Sequence, residues 1–184
     1  MSKLKIKWNS ERLLSLSAMT ISFITLLIFV YQTNLMRKQN SLSILPYLML
    51  GTTNDSANST FELNLKNHGV GPAIIESATM YYNDEAYQLS DYEDNLQQFL
   101  IILDPAFDSL EVFSFATLNK GLAIPAETTY NLLRVTDSSK DYALVTNALQ
   151  RLIEEGLNYE IVYKSIQNER WLIREDIDEP ERLD

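Results

Sequence analysis

Residues 61–82 read FELNLKNHGVGPAIIESATMYY, and their pattern decides the fold class. Phe61, Leu63 and Leu65 alternate with Glu62, Asn64 and Lys66. Period-two alternation buries one face and leaves the other in water, which predicts a half-buried strand. Asn67-His68-Gly69 closes that strand. Ala73–Tyr82, rich in β-formers but without clean alternation, predicts a second. Between them, Gly69 and Gly71 can take positive φ without a Cβ penalty, and Pro72 fixes φ and withholds a donor. Asn67 can hydrogen-bond the turn through its amide. The turn is read as structural, with a ligand loop as the functional alternative. It is not a phosphate loop, because no Lys-Ser or Lys-Thr follows and no long helix starts there.

Working outward, Tyr47–Leu50 is a short apolar run before Gly51, and Thr53–Thr60 has the composition of a loop. Asn83-Asp84 is a turn signal, after which Ala86–Leu89 can pair back. Ser90 and Glu93 fit a capping box that opens a helix ending at Asp104-Pro105. Leu110–Leu118 and Thr128–Val135 predict strands. Ser138–Glu155 is a second helix, with Tyr142, Val145, Leu149, Leu152 and Ile153 on one face and Gly156 as the stop. Tyr159, Ile161 and Tyr163 alternate, as do Trp171 and Ile173, with a hairpin turn at Ser165–Asn168. Many short strands with a few insertions predict an antiparallel β-sandwich carrying two inserted or capping helices. An α+β sheet with helices on one face is the alternative.

Leu13–Tyr31 (LLSLSAMTISFITLLIFVY) has no charge, Pro or Gly. A helix of that length crosses a bilayer core of about 30 Å. Trp8 and Tyr31 stand near its ends, where amphipathic aromatics settle. A buried core helix of this length would show a polar face. A cleaved signal peptide would have a shorter apolar run and a small-x-small site, which YQTNLM lacks. The segments are therefore a basic stretch (1–12), a transmembrane helix (13–31), a connector (32–46), a sandwich-like domain (47–174) and an acidic tail (175–184), the last expected to fray. Ser15, Ala18, Ser22 and Thr25 form a small-residue stripe suited to helix packing and homo-oligomer formation. The bland reading of the stripe is hydroxyls bonded to their own helix.

The net charge of −10 conceals two parts. Residues 1–38 hold six basic residues and one acid, for +5; residues 39–184 hold nine basic and 24 acidic, for −15. Such an acidic domain argues against nucleic acid, which is bound through basic patches. Four basic residues precede the apolar run and two follow it. That bias predicts a cytoplasmic N-terminus and an extracytoplasmic domain at the inner membrane, with a cytoplasmic domain as the alternative.

No cysteine is present, so disulfides, thiolate metal sites and a cysteine nucleophile are excluded. His68 is the one histidine and reads as a solvent-facing turn residue. Carboxylates cluster at Asp91, Glu93 and Asp94, at Glu154 and Glu155, and in the tail from Glu175 to Glu181. Paired carboxylates are the basis of glycoside hydrolysis, whereas the tail lacks the spacing of a calcium loop. Tyr81, Tyr82, Tyr87 and Tyr92 can form either an interaction surface or core packing. No cofactor and no metal site is expected.

The pattern Asn67-x-Gly69-x-Gly71-Pro72-Ala73 resembles a strand–turn–strand of Ig-like domains, of the cell-adhesion-related type, in single-pass membrane or secreted bacterial proteins. IPAETTY (124–130) is similar to the start of a later strand in those domains, and Pro46, Tyr47, Leu48 and Leu50 to their first strand. The resemblance covers about thirty residues. It implies an Ig-like sandwich and a non-catalytic, membrane-anchored module that meets a protein partner. The alternatives are an envelope carbohydrate hydrolase with paired carboxylates and a cytoplasm-facing subunit tethered in a larger system.

Overall fold

Ser10–Leu42 form one helix, α1, uninterrupted by Pro or Gly. The computed structural model that shows it describes residues 10–93 and 95–183. The basic residues before Ser10, Trp8 and Asp94 lie outside the described residues. At about 1.5 Å per residue α1 is about 50 Å long. It is long and apolar enough to cross a membrane, and its apolar stretch is buried nowhere within the chain. The helix continues about three turns past Tyr31. Thr20 and Thr25 donate to Leu16 O and Ile21 O, both at 2.8 Å, so these hydroxyls are satisfied within the helix.

From Ser43 onward the chain forms a second compact unit. In chain order its first strands are β1 (Leu48–Asp55), β2 (Thr60–Asn67), β3 (Ala73–Tyr82) and β4 (Glu85–Gln88). After helix α2 (Leu96–Leu103) come β5 (Phe113–Phe115), β6 (Ala123–Ile124) and β7 (Thr129–Val135). After helix α3 (Ser139–Glu154) come β8 (Asn158–Lys164), β9 (Arg170–Arg174) and β10 (Glu181–Arg182). One sheet has the order β1-β2-β7-β5. The other has the order β10-β9-β8-β3-β4, with β6 on the start of β3. All the pairings are antiparallel.

The two sheets and both helices share one buried cluster. Leu65, Leu133 and Val135 come from the first sheet, and Ile75, Ile161 and Tyr163 from the second. Phe99 and Leu100 of α2 and Val145 and Leu152 of α3 join them. Period-two alternation and helical spacing therefore converge on the same interior. The architecture is a mainly-β domain of two antiparallel sheets carrying two helices.

Several elements differ from their sequence reading. The loop expected at Thr53–Thr60 is strand as far as Asp55, and the turn is confined to four residues. The Asp55 carboxylate accepts from the backbone N–H groups of Ala57 and Asn58, closing the turn so tightly that polar Thr52–Asn54 stay in the ladder. The capping box does not form. Ser90 lies in a 3-10 turn, α2 starts at Leu96, and the Glu93 N–H is taken by Gln98. The strand expected over Leu110–Leu118 shrinks to three residues. Side chains take its N–H groups: Glu111 and Val112 donate to Asp141, and Leu118 donates to buried Asn95. These side-chain acceptors, distant in the chain, replace a sheet partner. The acidic tail does not simply fray, because Glu181 and Arg182 pair with Leu172 and Trp171.

Candidate functional site

Asn67 ends β2 with its side chain fully buried. Its Oδ1 accepts from the N–H groups of Gly69 (2.9 Å) and Tyr47 (3.1 Å). Its Nδ2 donates to the carbonyls of Gly71 (2.9 Å), Ile124 (3.1 Å) and Pro125 (3.1 Å). One amide thus ties together the turn, the residues leading into β1, and the end of β6. The three segments singled out in the sequence (PYLML, NHGVGPA and IPAETTY) meet at this side chain.

The glycines do not use their access to positive φ. Neither Gly69 nor Gly71 has positive φ. A Cβ on Gly69 would lie 2.3 Å from Leu45 O, and one on Gly71 would lie 1.9 Å from Ile44 O. Both positions are glycine because backbone crosses backbone there. Val70 N and Gly71 N donate to Leu45 O, and His68 N donates to Tyr47 O. Residues Ile44–Tyr47 are therefore clamped into the domain. Pro72 is half-buried, and Ala73 is fully buried at the start of β3, pairing with Ile124.

A cavity of about 660 Å³ opens between the two sheets, near the β1–β2 turn. Leu50, Phe61, Leu63, Met80, Leu149 and Leu157 give it apolar walls. Thr52, Asn54, Thr146, Gln150, Asn158, Glu154 and Glu175 supply its polar groups, and among the described residues no Lys or Arg lines it. Tyr159 also lines it, with its hydroxyl pKa raised by burial and then by the Glu175 carboxylate. That size and polarity suit an apolar ligand or side chain. The cavity was not legible in the sequence, because it depends on how α3 meets strands far apart in the chain. The run of apolar residues in β1 and β2 facing one helix was its only local signal.

The other candidates are dispersed. His68 is exposed at the turn. Glu155 accepts from the Tyr82 hydroxyl at 2.6 Å, a bond that raises the tyrosine pKa, while Glu154 faces the cavity. Asp91 and Glu93 are exposed, and Asp176 pairs with Arg174. Among the described residues no three His, Cys, Asp or Glu side chains assemble as metal ligands. The tyrosine group divides. Tyr87 and Tyr92 pack against Phe99 with ring centroids 5.4 and 5.9 Å away, and Tyr81 faces outward. Ser15, Ala18, Ser22 and Thr25 are exposed on α1.

Asp141 was not singled out by sequence, yet it is fully buried. Its Oδ2 accepts from Val112 N at 2.8 Å and Glu111 N at 3.2 Å, pinning the lead into β5 to α3. Burial pushes its pKa up, but the N–H of Val112, the Ser138 hydroxyl and the N–H of Glu111 together hold it below the ordinary 3.8. A depressed carboxyl pKa stabilises the fold above the unfolded-state value and loses that contribution as pH falls through the folded value. Asp141→Asn is expected to flatten this acid limb. Urea midpoints taken between about pH 5 and about pH 2 should fall less for the variant than for the parent. Parallel curves would assign the acid limb to other carboxylates.

No protein-family model matches this chain, and no curated protein matches it.

Proposed function

We propose that the chain is a single-pass, membrane-anchored interaction module, with an Ig-like sandwich presented to a protein partner. The observation that carries this reading is the clamp on Ile44–Tyr47, the residues that follow α1 in sequence. With Gly69, Gly71 and Asn67 gripping them, the domain begins within a few residues of the helix rather than after a long free linker. A tether of this kind raises the effective concentration of the domain toward neighbours at the same membrane. Two antiparallel sheets and the NxGxGPA turn support an Ig-like assignment. The distribution of Lys and Arg supports a cytoplasmic N-terminus and an extracytoplasmic domain.

The carbohydrate-hydrolase alternative has one observation in its favour, since Glu154 and Glu175 both line the cavity. Polar side chains stand among the lining residues, but most of the exposed wall is apolar. The interaction reading fits those walls better.

Two measurements test the proposal. A C-terminal alkaline phosphatase fusion is expected to be active and a C-terminal GFP fusion dark; the reverse pattern would move the domain to the cytoplasm. Photo-crosslinkers placed across the domain surface in intact cells should give discrete adducts from one face. Adducts no different from those of α1 alone would end the interaction-module reading.

A further inference from the structure

The first sheet has an unfinished edge beside the cavity. β1 is the terminal strand and pairs only with β2 among the described residues. His68 N donates to Tyr47 O at 2.8 Å, one step beyond the Leu48–Asn67 pair. Antiparallel ladders alternate, so Met49, Gly51, Thr53 and Asp55 turn their peptide groups toward β2. Leu48, Leu50, Thr52 and Asn54 turn theirs outward. Leu48 N conforms, reaching the hydroxyl of Tyr163 at 3.3 Å. The side chains of Leu50, Thr52 and Asn54 line the cavity. Three outward peptide units therefore run along the lip of an apolar hollow. Edge strands are commonly blunted by Lys, Pro or shortness. β1 has eight residues, LMLGTTND, with neither Lys nor Pro.

We propose that the β1 edge is a strand-addition site. Its occupant is an extended segment of a partner protein, with apolar side chains at alternate positions and a basic residue beside them. The proposal rests on the interaction-module reading and names its surface. Added strands draw affinity from main-chain hydrogen bonds and specificity from pockets for alternate side chains, and both are present here. The charge selects the flank: Glu154 and Glu175 stand exposed at the cavity, and among the described residues no Lys or Arg lines it. A second copy of this chain fits less well. Residues 39–184 carry −15, so two such domains repel. Each copy's Leu50, Thr52 and Asn54 already face its own cavity, so edge-to-edge pairing would leave both hollows unfilled.

The test uses the full-length protein in nanodiscs and a random-peptide display library as the probe. Thr52→Pro removes the outward N–H at the middle of the edge and leaves the bonds of Gly51 and Thr53 to β2. Enriched peptides should carry apolar residues at every second position, with Lys or Arg nearby. Their affinity for Thr52→Pro should fall at least about tenfold. A measurement on the peptide itself guards against a misfolded variant. N-methylating alternate peptide amides should weaken binding about tenfold in one register and little in the other. Peptides that bind Thr52→Pro as well as the parent, and tolerate methylation in both registers, would overturn the edge while leaving the interaction module standing. No enrichment above empty nanodiscs would also overturn it, whereas the module as a whole stands or falls with the cell crosslinks. A Thr52→Cys chain, otherwise free of cysteine, that forms a disulfide dimer across β1 would assign the edge to a second copy and overturn the proposal.

Discussion

Gly71→Ala is expected to destabilise the domain by about 3 kcal/mol or more. The new Cβ would sit 1.9 Å from Ile44 O and 2.4 Å from Ile44 C. Both are backbone atoms, so no rotamer change relieves the overlap. The chain must instead lift Ile44–Leu45 away from the turn. That movement breaks the bonds from Val70 N and Gly71 N to Leu45 O. Each such bond is worth about 0.5–1.5 kcal/mol net, and more if the freed groups stay buried. Gly121→Ala is the matched control. Gly121 has φ +88 and open space around its Cβ position, so only the left-handed backbone penalty of about 1–2 kcal/mol applies. Urea unfolding of the full chain in detergent, followed by the fluorescence of buried Trp171, reads both variants. Equal midpoints for the two would show that the clamp on the lead-in segment does not bear on stability.

Asn67→Ala is expected to cost about 3–5 kcal/mol, the range of a broken buried polar network. The substitution strands two N–H groups and takes the amide donor from the carbonyls of Gly71, Ile124 and Pro125, of which Pro125 keeps the Thr128 hydroxyl, all beside a fully buried position. Asn67→Asp separates geometry from charge. It keeps the acceptor for Tyr47 and Gly69 but turns a second oxygen toward the carbonyls of Gly71, Ile124 and Pro125. Burial and those carbonyls raise the folded-state pKa of the new carboxyl above its unfolded value of about 3.9. The sign follows from linkage: the variant should be least stable near pH 7 and regain stability as pH falls toward about 4. The same urea titration, repeated across pH, measures this. A pH-independent penalty would mean that solvent reaches the site and that the amide is not a sealed hub.

Local pattern carried much of the fold, and particular residues show where it stopped. Phe61, Leu63 and Leu65 read as a half-buried face and are one, because period two is a property of a single strand. Helix α3 read well for the same kind of reason: its apolar spacing, Ser138 before it and the positive φ of Gly156 after it all lie within one segment. The capping box at Ser90 does not form because Gln98, a sequence neighbour of equal chemical merit, captures the Glu93 N–H. Strand β5 was overestimated because Asp141, about thirty residues away, supplied acceptors that a sheet partner would otherwise provide.

The candidate site divides in the same way. Asn67, Gly69, Gly71, Pro72 and Ala73 stood out in the sequence, but the reason for the two glycines did not. A glycine chosen for positive φ and one chosen for a backbone crossing are identical letters, and only the approach of Ile44 and Leu45 distinguishes them. The cavity and the open β1 edge were illegible, since TNDS reads as loop and the hollow needs β1, β3, β8 and α3 at once.

By itself, the sequence determined the apolar helix, the basic-to-acidic split of +5 and −15, the strand periodicity and the absence of cysteine chemistry. These depend on composition and on neighbours a few residues apart. Tertiary structure alone decided which backbone Gly69 and Gly71 must admit, which five groups Asn67 joins, and which face of β1 was left unpaired. Those are contacts between residues distant in the chain, and their energy exists only once the sheets have closed around one core.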